Sequence, residues 1–187
     1  MSFLDKIIEL DKALLIFLNN LGAPNWDIFW LNITYQYHWI PLFLLMFFLL
    51  FKTYGLKKGL IILVLAAVLV TFTDQFVNLI KHSFERLRPN NDPIVKDLIR
   101  IVKSPRSFSF VSGHATNSIA NTLFVYLLLR KHFKYVGFFF LWPLLFAYSR
   151  IYLGVHYPID IIMGALLGLL IGFIFYKFCN FVLRKVS

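Results

Sequence analysis

The sequence is poor in most of what a soluble enzyme uses. It has one cysteine, Cys179, so no disulfide can close within the chain and the residue reads as a small packing side chain. Charged residues make up only 15% of the chain, and the acidic ones are scarcest, 9 Asp and Glu against 19 Lys and Arg. No group of Asp, Glu, His or Cys has metal-ligand spacing, so neither a metal nor another cofactor is expected. No basic leader precedes the first apolar stretch, which carries Asp5, Glu9 and Asp11 and so does not read as a cleavable signal.

Apolar residues are what the chain has in excess. They form 59% of it, with 22 Phe, a composition that excludes an ordinary soluble domain and marks an integral membrane protein. At 187 residues the size fits a single domain. The formal charge of +10 does not point to nucleic acid, because the basic residues lie between apolar segments rather than in one stripe. Membrane orientation and an anionic headgroup account for them better.

The expected fold is an all-α integral membrane protein, a bundle of five to six transmembrane helices. In residues 3–20, Asp5, Glu9, Lys12 and Asn19 interrupt an apolar run at roughly helical spacing, which predicts an amphipathic helix lying in the interface. Gly22-Ala23-Pro24-Asn25 ends it, and a second short helix runs from Trp26 to about Tyr37, near the interfacial Trp26, Trp30 and Trp39. Spans are expected over 37–54, 57–80, 112–130, 134–150 and 157–178; if 3–20 also crosses, the count is six. Residues 1–36, 37–178 and 179–187 then divide one membrane domain into interfacial helices, catalytic bundle and basic cytoplasmic tail.

Lys52, Lys57 and Lys58, then Arg130, Lys131 and Lys134, then Lys177, Arg184 and Lys185 fall on one side of such a bundle. The positive-inside rule makes that side cytoplasmic. The long loop 81–111 and the turn 150–156 then face the periplasm or exterior of a multi-pass cytoplasmic-membrane protein. Within that loop, Pro93 to Lys103 alternates apolar pairs with basic residues, as a short interfacial helix would. Tyr152, Tyr157 and Phe138 to Phe140 are expected at the interface or against lipid. Gly164, Gly168 and Gly172 recur every four residues and offer a smooth stripe for span three or four.

Three pieces of sequence meet on the outer face. His156 and Asp160 are four apart, so a helix starting near Tyr157 brings the carboxylate beside the imidazole and fixes its tautomer. Arg150 supplies a planar fork of donors suited to phosphate oxygens. Ser112-Gly113-His114 opens a helix whose uncovered N–H groups make an anion site, with His114 at its edge. Lys81 ends span two on a helix face shared with Asp74 and Asn78, and Arg88-Pro89 follows it. Taken alone, Lys81 reads as a snorkelling lysine and Ser-Gly-His as a capped helix start. Their agreement on one face is what raises the signal.

Lys81-(six residues)-Arg88-Pro89, Ser112-Gly113-His114 and Ser149-Arg150-(five residues)-His156-(three residues)-Asp160 resemble the three motifs of the type 2 phosphatidic acid phosphatase (PAP2) family over residues 57–178. Val111 stands where the family usually has proline, and the first 36 residues carry no family motif. The resemblance implies a metal-independent lipid phosphate phosphatase. In it His156 attacks phosphorus and Asp160 orients its ring, while His114 serves the leaving oxygen and then water. Lys81, Arg88 and Arg150, with the Ser112 hydroxyl and the Gly113 N–H, would hold the phosphoryl oxygens. Undecaprenyl diphosphate, phosphatidylglycerol phosphate, phosphatidic acid and lipid A phosphates are the candidate substrates. A lipid phosphotransferase and a non-catalytic lipid-binding or transport protein are the rival readings. The partners implied are the bilayer and a phosphorylated lipid, with no nucleic acid; oligomeric state is left open.

Overall fold

The computed structural model describes residues 2–186, and the regular structure among them is entirely helical. Six α-helices follow in order: α1 Phe3–Asn20, α2 Asp27–Thr34, α3 Ile40–Phe84, α4 Gly113–Leu129, α5 Leu141–Tyr152 and α6 Pro158–Lys185. Short 3-10 turns join them. Gln36–Asn91 and Pro158–Lys185 are long and apolar enough to cross a membrane, and Val136–Tyr152 is a shorter apolar stretch.

α3 breaks at Gly55, where φ is 73° and only glycine sits without strain. The chain folds back there, since a Cβ on Gly59 would lie 2.4 Å from the Phe51 ring. The two arms meet the helices expected over 37–54 and 57–80. Leu50 and Ile62, one on each arm, share a buried cluster with Phe124 and Leu129 of α4 and with Ile171 and Cys179 of α6. Cys179 is therefore a packing residue, as its isolation suggests. Around this core the outer faces are apolar too: Leu44, Phe48, Leu60, Val64, Leu144, Leu166 and Phe173 are all exposed. An apolar core inside an apolar coat is the distribution lipid permits and water does not.

The glycine stripe of α6 packs on α4, the helix of the third expected span. A Cβ at Gly164, Gly168 or Gly172 would stand 2.7, 2.6 or 2.6 Å from the carbonyl oxygens of Ser112, Thr116 and Ala120. Small residues let the two backbones approach closely, where dispersion forces are collectively large. This contact sets the start of α4 beside the start of α6, and both ends carry site residues.

α1 starts in a capping box, with the Ser2 hydroxyl accepting from the Asp5 N–H and Asp5 accepting from the Ser2 N–H. It turns Asp11, Leu15 and Asn19 inward and leaves Leu4, Leu10 and Phe17 exposed. Asn19 holds the carbonyls of Ile151 and Tyr152 at 3.0 and 2.9 Å, tying α1 to the end of α5.

Four local expectations need correcting. Pro93 to Lys103 is not a helix: only Lys96–Leu98 forms a 3-10 turn, because the segment's backbone bonds elsewhere. Asn20 and Asn19 take the Leu98 and Arg100 carbonyls, and the Val102 and Lys103 N–H groups donate to Leu153. Tyr152 and Tyr157 are buried, since each hydroxyl finds a carboxylate, Asp27 and Asp92 respectively. Phe139 is buried in the core, while Phe138 is exposed. The buried stripe of α3 is Thr73, Val77 and Lys81, and Asp74 and Asn78, one position on, are exposed. In addition α6 stays helical to Lys185, through most of the expected tail; Ser187 lies outside the described residues.

Candidate active site

The site begins with the turn between α5 and α6. Gly154, at φ 71°, reverses the chain, and a side chain there would meet the Arg100 carbonyl at 2.7 Å. Pro158 opens α6 at a position where its missing N–H costs nothing. Asp160 then closes a capping box by accepting the Tyr157 N–H at 2.9 Å. The same carboxylate oxygen, Oδ2, lies 3.4 Å from His156 Nδ1. Helix initiation and histidine orientation thus share one side chain.

Ser109 approaches the pair from the loop before α4. Its hydroxyl donates to Asp160 Oδ2 and stands 3.4 Å from His156 Nδ1. On the other edge of the ring, Arg88 Nη1 is 3.1 Å from Nε2. A guanidinium only donates, so Nε2 must accept, and the ring hydrogen belongs on Nδ1 facing Asp160 and Ser109. The Nε2 lone pair therefore points at a cation. Arg88 is itself fixed by the Ser107 carbonyl (2.6 Å), the Ser107 hydroxyl (2.9 Å) and the Val155 carbonyl (2.9 Å).

Lys81 donates to the Phe108 and Ser109 carbonyls at 2.7 and 3.4 Å, so it steadies the loop that delivers Ser109. Arg150 is buried, donates from Nη1 to the Thr34 hydroxyl of α2 at 2.6 Å, and has a buried Nε without a protein partner. Ser112 caps α4 through the Ala115 N–H, and its own N–H donates to the Asp160 carbonyl at 3.0 Å. Gly113 opens that helix. His114 stacks on Phe146 of α5 with ring centroids 4.8 Å apart. Among the described residues, then, His156, Asp160 and Arg88 are joined directly. Lys81 and Ser112 join them through one intervening backbone, and His114 stands outside the hydrogen-bonded network.

Burial, followed by the positive charges of Arg88, Arg150 and Lys81, holds the His156 imidazole well below its ordinary value of 6.5. A lowered pKa keeps the ring neutral as pH falls through 6.5. If neutral His156 is required, kcat/KM in free enzyme is expected to stay level across that pH and to lose its acid limb only below it. A pH profile with a midpoint at or above 6.5 that disappears with His156 would contradict this.

Comparison with known proteins decides the family. The PAP2 superfamily pattern matches residues 57–184. The chain belongs to the PAP2 superfamily. Among relatives of this PAP2 protein, the lipid A 4′-phosphatase of Bacteroides thetaiotaomicron is 36% identical over 96% of this chain and 79% of its own. The lipid A 4′-phosphatase of Porphyromonas gingivalis is 33% identical over 93% of this chain and 75% of its own. In structure, the PAP2-type phosphatidylglycerolphosphate phosphatase of Bacillus subtilis aligns with a TM-score of 0.72 at 23% identity, covering 94% of this chain and 87% of that one. As a PAP2 protein with phosphatase relatives along nearly its whole length, the chain is a phosphoric ester hydrolase.

Several residues of this candidate site were not legible as such. Ser107 and Ser109 sit within the serine-rich approach to α4, but nothing in their spacing separates a histidine-facing serine from a capping one. Thr34 carried no signal. Arg86 and Asp11 were not singled out: Asp11 is not among the polar positions, Asp5, Glu9, Lys12 and Asn19, that marked the interfacial helix.

Proposed function

We propose that the protein hydrolyses a phosphate monoester of a membrane lipid, lipid A first among the candidates, through a phosphohistidine on His156. The observation that carries the reading is the placement of His156, with its Nδ1 side against Asp160 and Ser109 and its Nε2 lone pair aimed at Arg88. An in-line approach would put the phosphoryl group where Arg88 now meets Nε2. The P–N bond would form as the bond to the lipid oxygen breaks, and His114 would protonate that oxygen. Water, deprotonated by His114, would then displace His156 and release phosphate. Lys81, Arg88 and Arg150, with the Ser112 hydroxyl and the Gly113 N–H, would stabilise the moving charge. Three cations supply the charge a metal would otherwise bring.

The apolar coat supports five spans, with α1 in the interface and the site on the outer face of the cytoplasmic membrane. The length matched to two lipid A 4′-phosphatases supports a phosphorylated glycolipid over the other candidates. The test is phosphate release by detergent-purified protein from lipid A, phosphatidylglycerol phosphate, phosphatidic acid and undecaprenyl diphosphate in excess chelator. Lipid A is expected to be hydrolysed fastest, at a rate chelator leaves unchanged. Absence of release from all four by folded protein would defeat the reading in favour of a transferase or a binder.

A further inference from the structure

Arg86 and Asp11 are used by none of the steps above, yet they continue the site's hydrogen bonds outward. Arg86 Nη1 donates to Asp160 Oδ1 at 2.7 Å, the oxygen that does not face His156. Its Nη2 donates to Asp11 Oδ2, also at 2.7 Å. Asp11 Oδ1 accepts the Ile159 N–H from the first turn of α6 at 2.9 Å. The Asp11 and Asp160 side chains are both 0% exposed, and the guanidinium lies 4.0 Å over the Tyr157 ring. Asp11 stands on α1, outside the residues the PAP2 pattern matches.

We propose that Asp11 and Arg86 are positioning residues for the His156–Asp160 pair, so that α1 forms part of the catalytic architecture. The argument is one of charge and geometry. Arg86 alone beside Asp160 would cancel the negative charge that favours a positive or phosphorylated imidazole at His156. Asp11 takes the other arm of the fork, and the three groups together carry one net negative charge. The bridge also pins Oδ1, which leaves Oδ2 to face Tyr157, Ser109 and the ring. A lysine in place of Arg86 offers a point charge and cannot span both carboxylates in this fixed plane.

The inference rests on the phosphohistidine reading, and the experiment separates the two. Asp11→Asn, Asp11→Glu, Arg86→Lys, Asp160→Asn and the Asp11→Asn/Asp160→Asn pair are prepared as full-length protein and assayed on the lipid that wild type hydrolyses. Asp11→Asn is expected to lower kcat by about 10- to 100-fold, the scale of losing a hydrogen-bond partner that orients a metal-bound histidine. KM should stay within about twofold, and Asp11→Glu should recover part of the loss. The double variant should fall no more than about threefold below Asp160→Asn, because the two residues act on one ring. Wild-type kcat in Asp11→Asn, or losses that multiply in full, would overturn the proposal. If Asp11→Asn does not fold, Arg86→Lys must show the same loss confined to kcat, and wild-type kcat there overturns the proposal equally. If wild type hydrolyses no lipid phosphate, the proposed function has failed. The positioning role is then read from ¹⁵N NMR of histidine-labelled protein. His156 should carry its hydrogen on Nδ1 in wild type and be divided between the Nδ1–H and Nε2–H tautomers in Asp11→Asn; an unchanged tautomer overturns the inference.

Discussion

His156→Ala is expected to abolish lipid phosphate hydrolysis, by about 10⁴-fold or more, the order seen when a nucleophile that works as one unit with its neighbours is removed. The expectation follows from what each edge of the ring touches. Nδ1 carries the hydrogen and is taken by Asp160 and Ser109, so Nε2, which meets only the Arg88 donor, has the lone pair that can bond phosphorus. Alanine also leaves Arg88 with its bonds to Ser107 and Val155, so the cation stays in place and binding should survive the substitution. Turnover should therefore vanish while the purified variant keeps its elution volume, its melting temperature and its affinity for substrate. Hydrolysis within about tenfold of wild type would remove His156 as nucleophile.

Arg88→Lys is expected to cost about 10² to 10³ in kcat/KM, the scale of losing one preorganised donor to a developing charge. Lysine keeps the positive charge but not the fork. Arg88 uses Nε and Nη2 on Ser107 and Nη1 on Val155 and His156, so its position is fixed before substrate arrives. A flexible ammonium would have to be ordered during the reaction. The loss should appear mostly in kcat, measured by phosphate release over a range of lipid concentration. A variant within about threefold of wild type would mean that charge alone matters there and that the planar anchoring is incidental.

How much of this was visible in the sequence depends on the range of the interaction. The pairing of His156 with Asp160 is local: four residues, a proline to start the helix and a carboxylate to cap it. The break between the spans over 37–54 and 57–80 and the glycine stripe of α6 are local as well, and both were legible, with α4 one of the two partners the stripe allowed. Asp11 shows the opposite case. A charged residue in a mostly apolar helix fits an interface as well as a buried ion pair, and what decides is Arg86, which lies 75 residues away. Tyr157 was misread for the same reason. An aromatic at a span boundary belongs to the headgroup belt unless a partner draws it in, and Asp92 does so across 65 residues. Lys81 and Asp74, seven residues apart, differ by only about 20° around the helix, and hydropathy alone does not say which of two neighbouring stripes is buried.

The most direct test of the proposed chemistry is to trap the intermediate. Wild-type protein is mixed with lipid labelled in its phosphate, quenched in alkali within milliseconds to seconds, digested, and the label located by mass spectrometry. A phosphohistidine at His156, stable to alkali and lost in acid, is the expected result. Rapid turnover with no label on the protein, or label on a serine such as Ser109 or Ser112, would contradict it.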